Sequence, residues 1–402
     1  MTDNSLRLIT LQQAMDLFGI SRSTIDRWRR TKRLPFIKIG KEVMLDPLQV
    51  QAWVQEHAVV RDPAIPLPLP AETASTVTVG YQSTTAHMWS PIIMRELRLL
   101  EYELSGQLPG RPVRVEWQDA ASGLSLVEQM IAGRVHIASL GDYPIVMGQW
   151  LSRILPDFDA VLLAFDGKSE SGRGISIAVS DNSRIRGMDD LCSATITTVP
   201  HSSADFRLNR LLGSTVSGAA RIEHRTMKES WDGLLGRSVQ ASAMWEPYPS
   251  LTRYFGTGNV LFEGGIGDDY LTGVVTNGKW ACRNEAVVVA YLKAHLRAHR
   301  FMREEPAAAA RMIASATGFP LPVTAGIISR VRWDAALYTK DIETLERLFA
   351  LQPALPSLGG GEGGSGAIVA APEYLDSAAR SLALPAFRPE LRDGEWSTQV
   401  QY

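Results

Sequence analysis

The chain has 402 residues, 45% of them hydrophobic and 21% charged, with a formal net charge of -2. At roughly 100–200 residues per domain, that length makes about two to four units able to bury cores of their own. The charge balance excludes an overall nucleic-acid coat and an acidic disordered chain. Two cysteines, Cys192 and Cys282, are too few for a disulfide scaffold or a cysteine-rich zinc site.

Residues 1–9 hold Asp3 and Arg7 and lack the apolar run of roughly 7–15 residues that an export signal needs. No stretch approaches ~18 uninterrupted apolar residues, so no membrane insertion is expected and the expected location is cytoplasmic. Thr10 with Gln13 fits a capping box. The helix that follows carries Leu11, Ala14, Met15 and Phe18 on one face, with Gly19 past its end. Ser21 caps a second helix over residues 22–32, which buries Ile25 and Trp28 and carries Arg22, Thr24, Arg27, Arg29 and Arg30 on its other faces. Pro35 ends it. Residues 36–39 and 43–45 make two short strands around a Gly40-Lys41 turn. Asp46 as cap and Pro47 at the first position then open a third helix, burying Val50, Trp53 and Val54.

Residues 1–60 carry nine basic against six acidic side chains, a net +3 in a chain of -2, and eight of the nine lie between Arg22 and Lys41. Such a stripe is either a phosphate-contacting surface or a solvated basic face. Helix, tight turn, helix, hairpin, helix is the order of a winged helix-turn-helix, whose second helix enters a major groove. The stretch resembles the excisionase or MerR-like helix-turn-helix family through Ser21-Arg22-Ser23-Thr24, Trp28, Leu34-Pro35, Lys38-Ile39-Gly40-Lys41 and Trp53. The resemblance implies base contacts from Arg22, Ser23, Thr24 and Arg27. It implies phosphate contacts from Ser21, Arg30, Lys38 and Lys41.

Prolines at 63, 66, 68 and 70 make residues 61–75 a stiff, extended spacer and the expected domain boundary. Beyond it, residues 77–81 alternate like a strand and empty into the polar loop 82–87, followed by one amphipathic helix through Leu104. Strand 113–117, helix 124–132 and strand 135–140 come next, then Gly141-Asp142-Tyr143-Pro144. The second half repeats the logic with strands at 175–179 and 195–199, short helix 188–191, helix 205–212 opened by Pro200-His201-Ser202-Ser203, and 239–244 leading into Trp245-Glu246-Pro247. Strand–helix alternation implies parallel sheets with ligand-binding loops at the strand ends. Residues 359–366 read as a flexible glycine-rich loop.

These pieces resemble, in order, the substrate-binding proteins of nitrate, sulfonate and taurine importers and the thiamine-precursor binding proteins. The matching segments are Val79-Gly80-Tyr81-Gln82, residues 132–138, Gly141-Asp142-Tyr143-Pro144, residues 183–191, the serine-rich helix start at 201–203, Trp245-Glu246-Pro247 and the late helix at 287–294. His136 stands where family members usually have Asp, and Cys192-Ser193-Ala194 where they have Lys-Gly-Lys. The implied fold class is α/β: a winged helix-turn-helix domain at 1–60, a linker at 61–75 and a two-lobed type II periplasmic-binding-protein-like domain at 76–402.

Such a fold clasps a small molecule between its lobes. The candidate contacts are Gln82, Ser83, Thr84, Thr85, His87, Asp142, Tyr143, Ser202, Ser203, Trp245 and Glu246. Ser202 and Ser203 either hold an anion at the helix start or cap that helix. Asp142 and Glu246 either receive a ligand amine or are surface acids, and Tyr143 and Trp245 either stack on a ring or pack. His87 and His201 read as polar lining, and no acid and histidine are seen at zinc spacing. A phosphate-cradling loop and a nucleophile elbow are absent, as is the cysteine-rich segment of the pyrimidine-synthase relatives; no cofactor and no enzymatic role are expected. The expected protein is a cytoplasmic, homodimeric regulator that binds double-stranded DNA and a small-molecule ligand, lobe closure rotating the attached readers. An importer component and an enzyme are the alternatives.

Overall fold

The computed structural model describes residues 8–12, 15, 22, 25–26, 29, 34–40, 42–46, 49–50, 53, 75–213, 220–351, 367–385, 394–400 and 402. The spacer 61–74, the loop 359–366 and the expected core residues Ala14, Phe18, Trp28 and Val54 lie outside the described residues.

In the head, strands β1 (Ile9–Thr10), β2 (Ile37–Ile39) and β3 (Glu42–Leu45) form an antiparallel sheet in the order β1-β3-β2. Ile9 faces Leu45 and Ile37 faces Met44, with Gly40 at φ +64 in the turn of the hairpin. Thr10, expected as a helix cap, stands directly before helical Leu11 and also pairs with Met44, while its expected partner Gln13 lies outside the described residues. The expected hairpin thus gains a third strand. Ile25, Leu34, Leu45, Val50 and Trp53 are buried, as their spacing implies.

The larger part has two lobes. In the first, β4 (Thr76–Tyr81), β5 (Arg114–Asp119), β6 (Ile137–Gly141) and β7 (Ala160–Ser169) join two later strands. These are β13 (Tyr270–Asn277) and β14 (Arg332–Trp333), and the sheet order is β14-β7-β13-β6-β4-β5. β4 runs parallel to β5 and β6, so Thr76 lies at the rim opposite the loop that follows Tyr81. In the second lobe, β8 (Ile175–Ser180), β9 (Thr195–Thr198), β10 (Arg221–His224), β11 (Ala241–Trp245) and β12 (Gly258–Leu261) are ordered β10-β9-β11-β8-β12. Helices cover the sheets, which explains why β6, β8 and β11 are buried along their whole length and β7 along nearly all of it. The amphipathic stretch after residue 89 is not one helix: it breaks into Ser90–Glu96 and Leu99–Gln107 at Arg98, whose φ of 54° is left-handed.

The second lobe is an insert. The chain enters it once between β7 and β8 and returns once between β12 and β13. The two crossovers press backbone against backbone: a Cβ on Gly265, at φ +103, would run into Ser171 O. Gly265→Ala is therefore expected to cost about 1–3 kcal/mol in backbone strain alone, and more through the clash. Urea melts against Gly264→Ala, whose Cβ meets nothing within 4 Å, measure the difference. No helix among the described residues is long and apolar enough to cross a membrane.

Candidate functional site

Four polar segments follow the C-terminal ends of parallel strands and meet between the lobes. After β4 comes loop 82–87; after β6, helix Asp142–Ser152; after β9, helix Ser203–Gly213; after β11, Trp245 and Glu246. The lobes are closed on each other. Trp245 Nε1 donates to Thr84 O at 3.0 Å, and Ala86 N donates to Glu246 O at 2.8 Å. Tyr143 stacks on Phe206 with ring centroids 5.2 Å apart, and Tyr143 N lies 3.5 Å from Ser203 Oγ.

At the centre, Arg207 of the second lobe grips Asp142 of the first with two bonds, 2.6 Å and 3.2 Å long. Both side chains are buried, 3% and 0% exposed. A forked guanidinium on a carboxylate is the strongest ion-pair geometry, and burial removes competing water. Arg207 is absent from the contacts that the sequence suggests. Its signal is its position four residues after Ser203, which puts it on the same helix face. Tyr270 extends this patch, lying under the Arg207 guanidinium at 5.3 Å and against the His87 ring at 4.6 Å.

Four buried polar atoms along this region lack a hydrogen-bond partner: Thr85 Oγ1, His87 Nδ1, Thr198 Oγ1 and Arg207 Nε. Native proteins leave few such groups, and those that remain point to a ligand or ordered water. His87 binds Ser169 Oγ through Nε2 at 2.8 Å. Burial, with the charges of Arg207 and Arg330, pushes its pKa down to about 3, so the ring is neutral. Beside the first crossover, His87, Ser169, Gly174, Glu246, Arg253 and Arg330 line a cavity of about 720 Å³. That volume suits a small organic molecule.

The structure assigns several expected contacts a local role. Ser202 Oγ donates to Val199 O and accepts from Asp205 N, which is capping. Glu246 accepts from Ser250 N and Oγ, and burial raises its pKa; Arg330 stands 3.4 Å away. Gln82 is buried at the start of its loop, and Ser83 N donates to Asp119 Oδ1 at 2.9 Å. His136 accepts the Thr78 N–H on Nδ1 at 2.9 Å and stacks on Trp280 at 4.9 Å, a core role. Away from the seam, and against the expectation of no acid–histidine zinc spacing, one group of metal-capable side chains gathers among the described residues: Asp166, His295 and His299.

In the head, Arg22 lies exposed on its helix and Lys38 exposed on β2. Ser21, Ser23, Thr24, Arg27, Arg30 and Lys41 lie outside the described residues. Arg29 pairs with Asp26 at 2.9 Å and covers the Phe36 ring at 4.0 Å, a packing role.

A family described as a helix-turn-helix domain matches residues 8–58. No curated protein matches the chain. Among solved structures, the chain is similar to the alkanesulfonate-binding protein SsuA from Xanthomonas axonopodis pv. citri bound to MOPS. That likeness has 19% identity and a TM-score of 0.58, covering 71% of this chain and 96% of that one. It is similar to the periplasmic nitrate-binding protein NrtA from Synechocystis PCC 6803 at 13% identity and a TM-score of 0.58, covering 78% and 90%. It is also similar to a DSZB mutant in complex with biphenyl-2-sulfinic acid, at 16% identity and a TM-score of 0.53, covering 76% and 99%. At these identities the likeness shows the fold: a type II periplasmic-binding-protein-like α/β domain, preceded here by a helix-turn-helix.

Proposed function

We propose that this chain is a cytoplasmic, homodimeric transcription regulator. Residues 1–60 read double-stranded DNA, residues 61–75 link, and residues 76–402 sense a small metabolite. The observation that carries the reading is the union in one chain of a helix-turn-helix match with a solute-clasping fold whose seam holds unpartnered buried polar atoms. The ligand offers an acceptor to Arg207 Nε, the donor left over from its pairing with Asp142, and hydrogen-bonding edges to Thr85, His87 and Thr198. Ser203, Tyr143 and Trp245 close around it. Binding biases the lobes because the ligand contacts both, which is the differential affinity that any population shift needs.

A mobility-shift assay with the chain's own upstream DNA, with and without metabolite extracts, tests this. A shift altered by an extract supports the sensor; a shift insensitive to every extract removes it. The importer reading rests on the same fold and predicts export with no shift at all. Arg27→Ala is expected to weaken binding by about 1–3 kcal/mol with relaxed preference at one base position. Uniform loss across sequences would place Arg27 on phosphate.

A further inference from the structure

Asp166, on β7, is 0% exposed. Among the described residues no Lys or Arg pairs with it. The nearby Lys168 is spent on Asp341 and Ala336 O, and Arg303 on the carbonyls of Trp333 and Tyr402. Buried acids of this kind are neutralised, or they hold a cation. The groups touching Asp166 are the Ser90 and Ser139 hydroxyls, at 2.8 Å and 2.9 Å, and His299 Nε2 at 3.1 Å. His295 and His299 are four residues apart on helix Glu285–Glu304, so their rings share one face, 4.1 Å between centroids, and that face packs on β7.

His295 Nε2 lies 2.8 Å from Phe165 O, which only accepts, so Nε2 carries the hydrogen and Nδ1 presents a lone pair. One ring nitrogen held by a backbone carbonyl while the other is left to ligate is how metal-binding histidines are oriented. Ser90 Oγ lies 2.8 Å from Asp166 Oδ2 and 3.2 Å from that Nδ1, yet it has one hydrogen to give. With Asp166 ionised, two lone pairs converge on one donor. A metal cation satisfies both, as would a proton on Asp166, and titration with Co(II) separates the two.

We propose that Asp166, His295 and His299 form a buried site for a divalent, zinc-type metal ion, completed by the Ser90 or Ser139 hydroxyl. Two imidazoles and a carboxylate match the borderline character of zinc. Their ligating atoms lie within 4.8 Å of one another. Tetrahedral zinc with bonds of about 2.0–2.1 Å needs separations near ~3.3 Å, so the widest pair has to close by up to about 1.5 Å on binding. The ion clasps the longest helix to the strand that runs into the first crossover, a structural duty suited to a closed site without bound water.

The test uses the full chain, stripped with chelator, desalted and titrated with Co(II). The expected result is one cobalt per chain, visible ligand-field bands of a tetrahedral site, and a Tm raised by about 3 °C or more. Asp166→Asn keeps the shape of the carboxyl and one accepting oxygen while weakening ligation, and it is expected to lose both bands and Tm gain; His299→Gln likewise. A stripped chain that shows neither bands nor Tm gain overturns the proposal. So do bands and gain that persist in Asp166→Asn, which decides the matter if His299→Gln does not fold.

Discussion

Arg207→Ala is expected to lower the free energy of unfolding by about 3–5 kcal/mol, because it leaves Asp142 buried with its charge uncompensated. Asp142 is 0% exposed, and its remaining polar contact is the Tyr143 N–H at 2.7 Å. Replacing both partners, Asp142→Leu with Arg207→Leu, should recover most of that loss, since removing a buried pair outright also removes the cost of desolvating it. Urea denaturation of the two single variants and the double variant forms the cycle that separates these terms. The same experiment reports on lobe closure. If the lobes stand apart in solution, both groups are hydrated and Arg207→Ala costs less than about 1 kcal/mol.

The second large effect is loss of stability on acidification. In the chelator-stripped chain, burial lowers the pKa of His87 and His295 to about 3 and of His136 to about 4, and pushes His299 well down. A group depressed in the folded state contributes stability that is present above its unfolded pKa, near ~6.5, and is lost as pH falls toward its folded value. Between about pH 7.5 and about pH 5.5 the unfolded chain takes up protons on these rings while the folded chain does not. Each ring then removes on the order of 1 kcal/mol per pH unit below its unfolded pKa. Asp166 and Asp341 are raised by burial and act in the opposite sense, their contribution being lost as pH rises through their folded values, which flattens the curve at lower pH. His136→Asn retains an acceptor for the Thr78 N–H without a titrating ring. It should reduce the pH slope of the urea midpoint; an unchanged slope would mean that His136 is protonated in the fold.

The head was legible because its signals are local: Pro35, the Gly40 turn and Asp46 each act within a few residues, and Ile25, Val50 and Trp53 recur at helical spacing. The lobes were legible as far as their loops. β7 and β13 were not: a run such as AVLLAF carries no period that tells a strand from a buried helix. Ser202 and Ser203 do mark a helix start, but their neighbour Arg207 finds its partner 65 residues back in the other lobe. The acid–histidine cluster escaped for the same reason: the four-residue spacing of His295 and His299 is plain, while Asp166 joins them from a distant strand. Contacts between elements far apart in sequence leave no mark on local spacing.

β4 begins at Thr76 and carries the chain six residues, roughly 20 Å at the usual rise per residue, before it reaches the polar loops. The helix-turn-helix head therefore joins the chain at the first lobe, at the rim opposite the loop that follows Tyr81. The second lobe, suspended between its two crossovers, is joined to the head only through the first lobe. Swinging it leaves the point of attachment where it was. Under the proposed function, a signal from the second lobe has to reach the head through non-covalent contacts, with either lobe or with a second subunit.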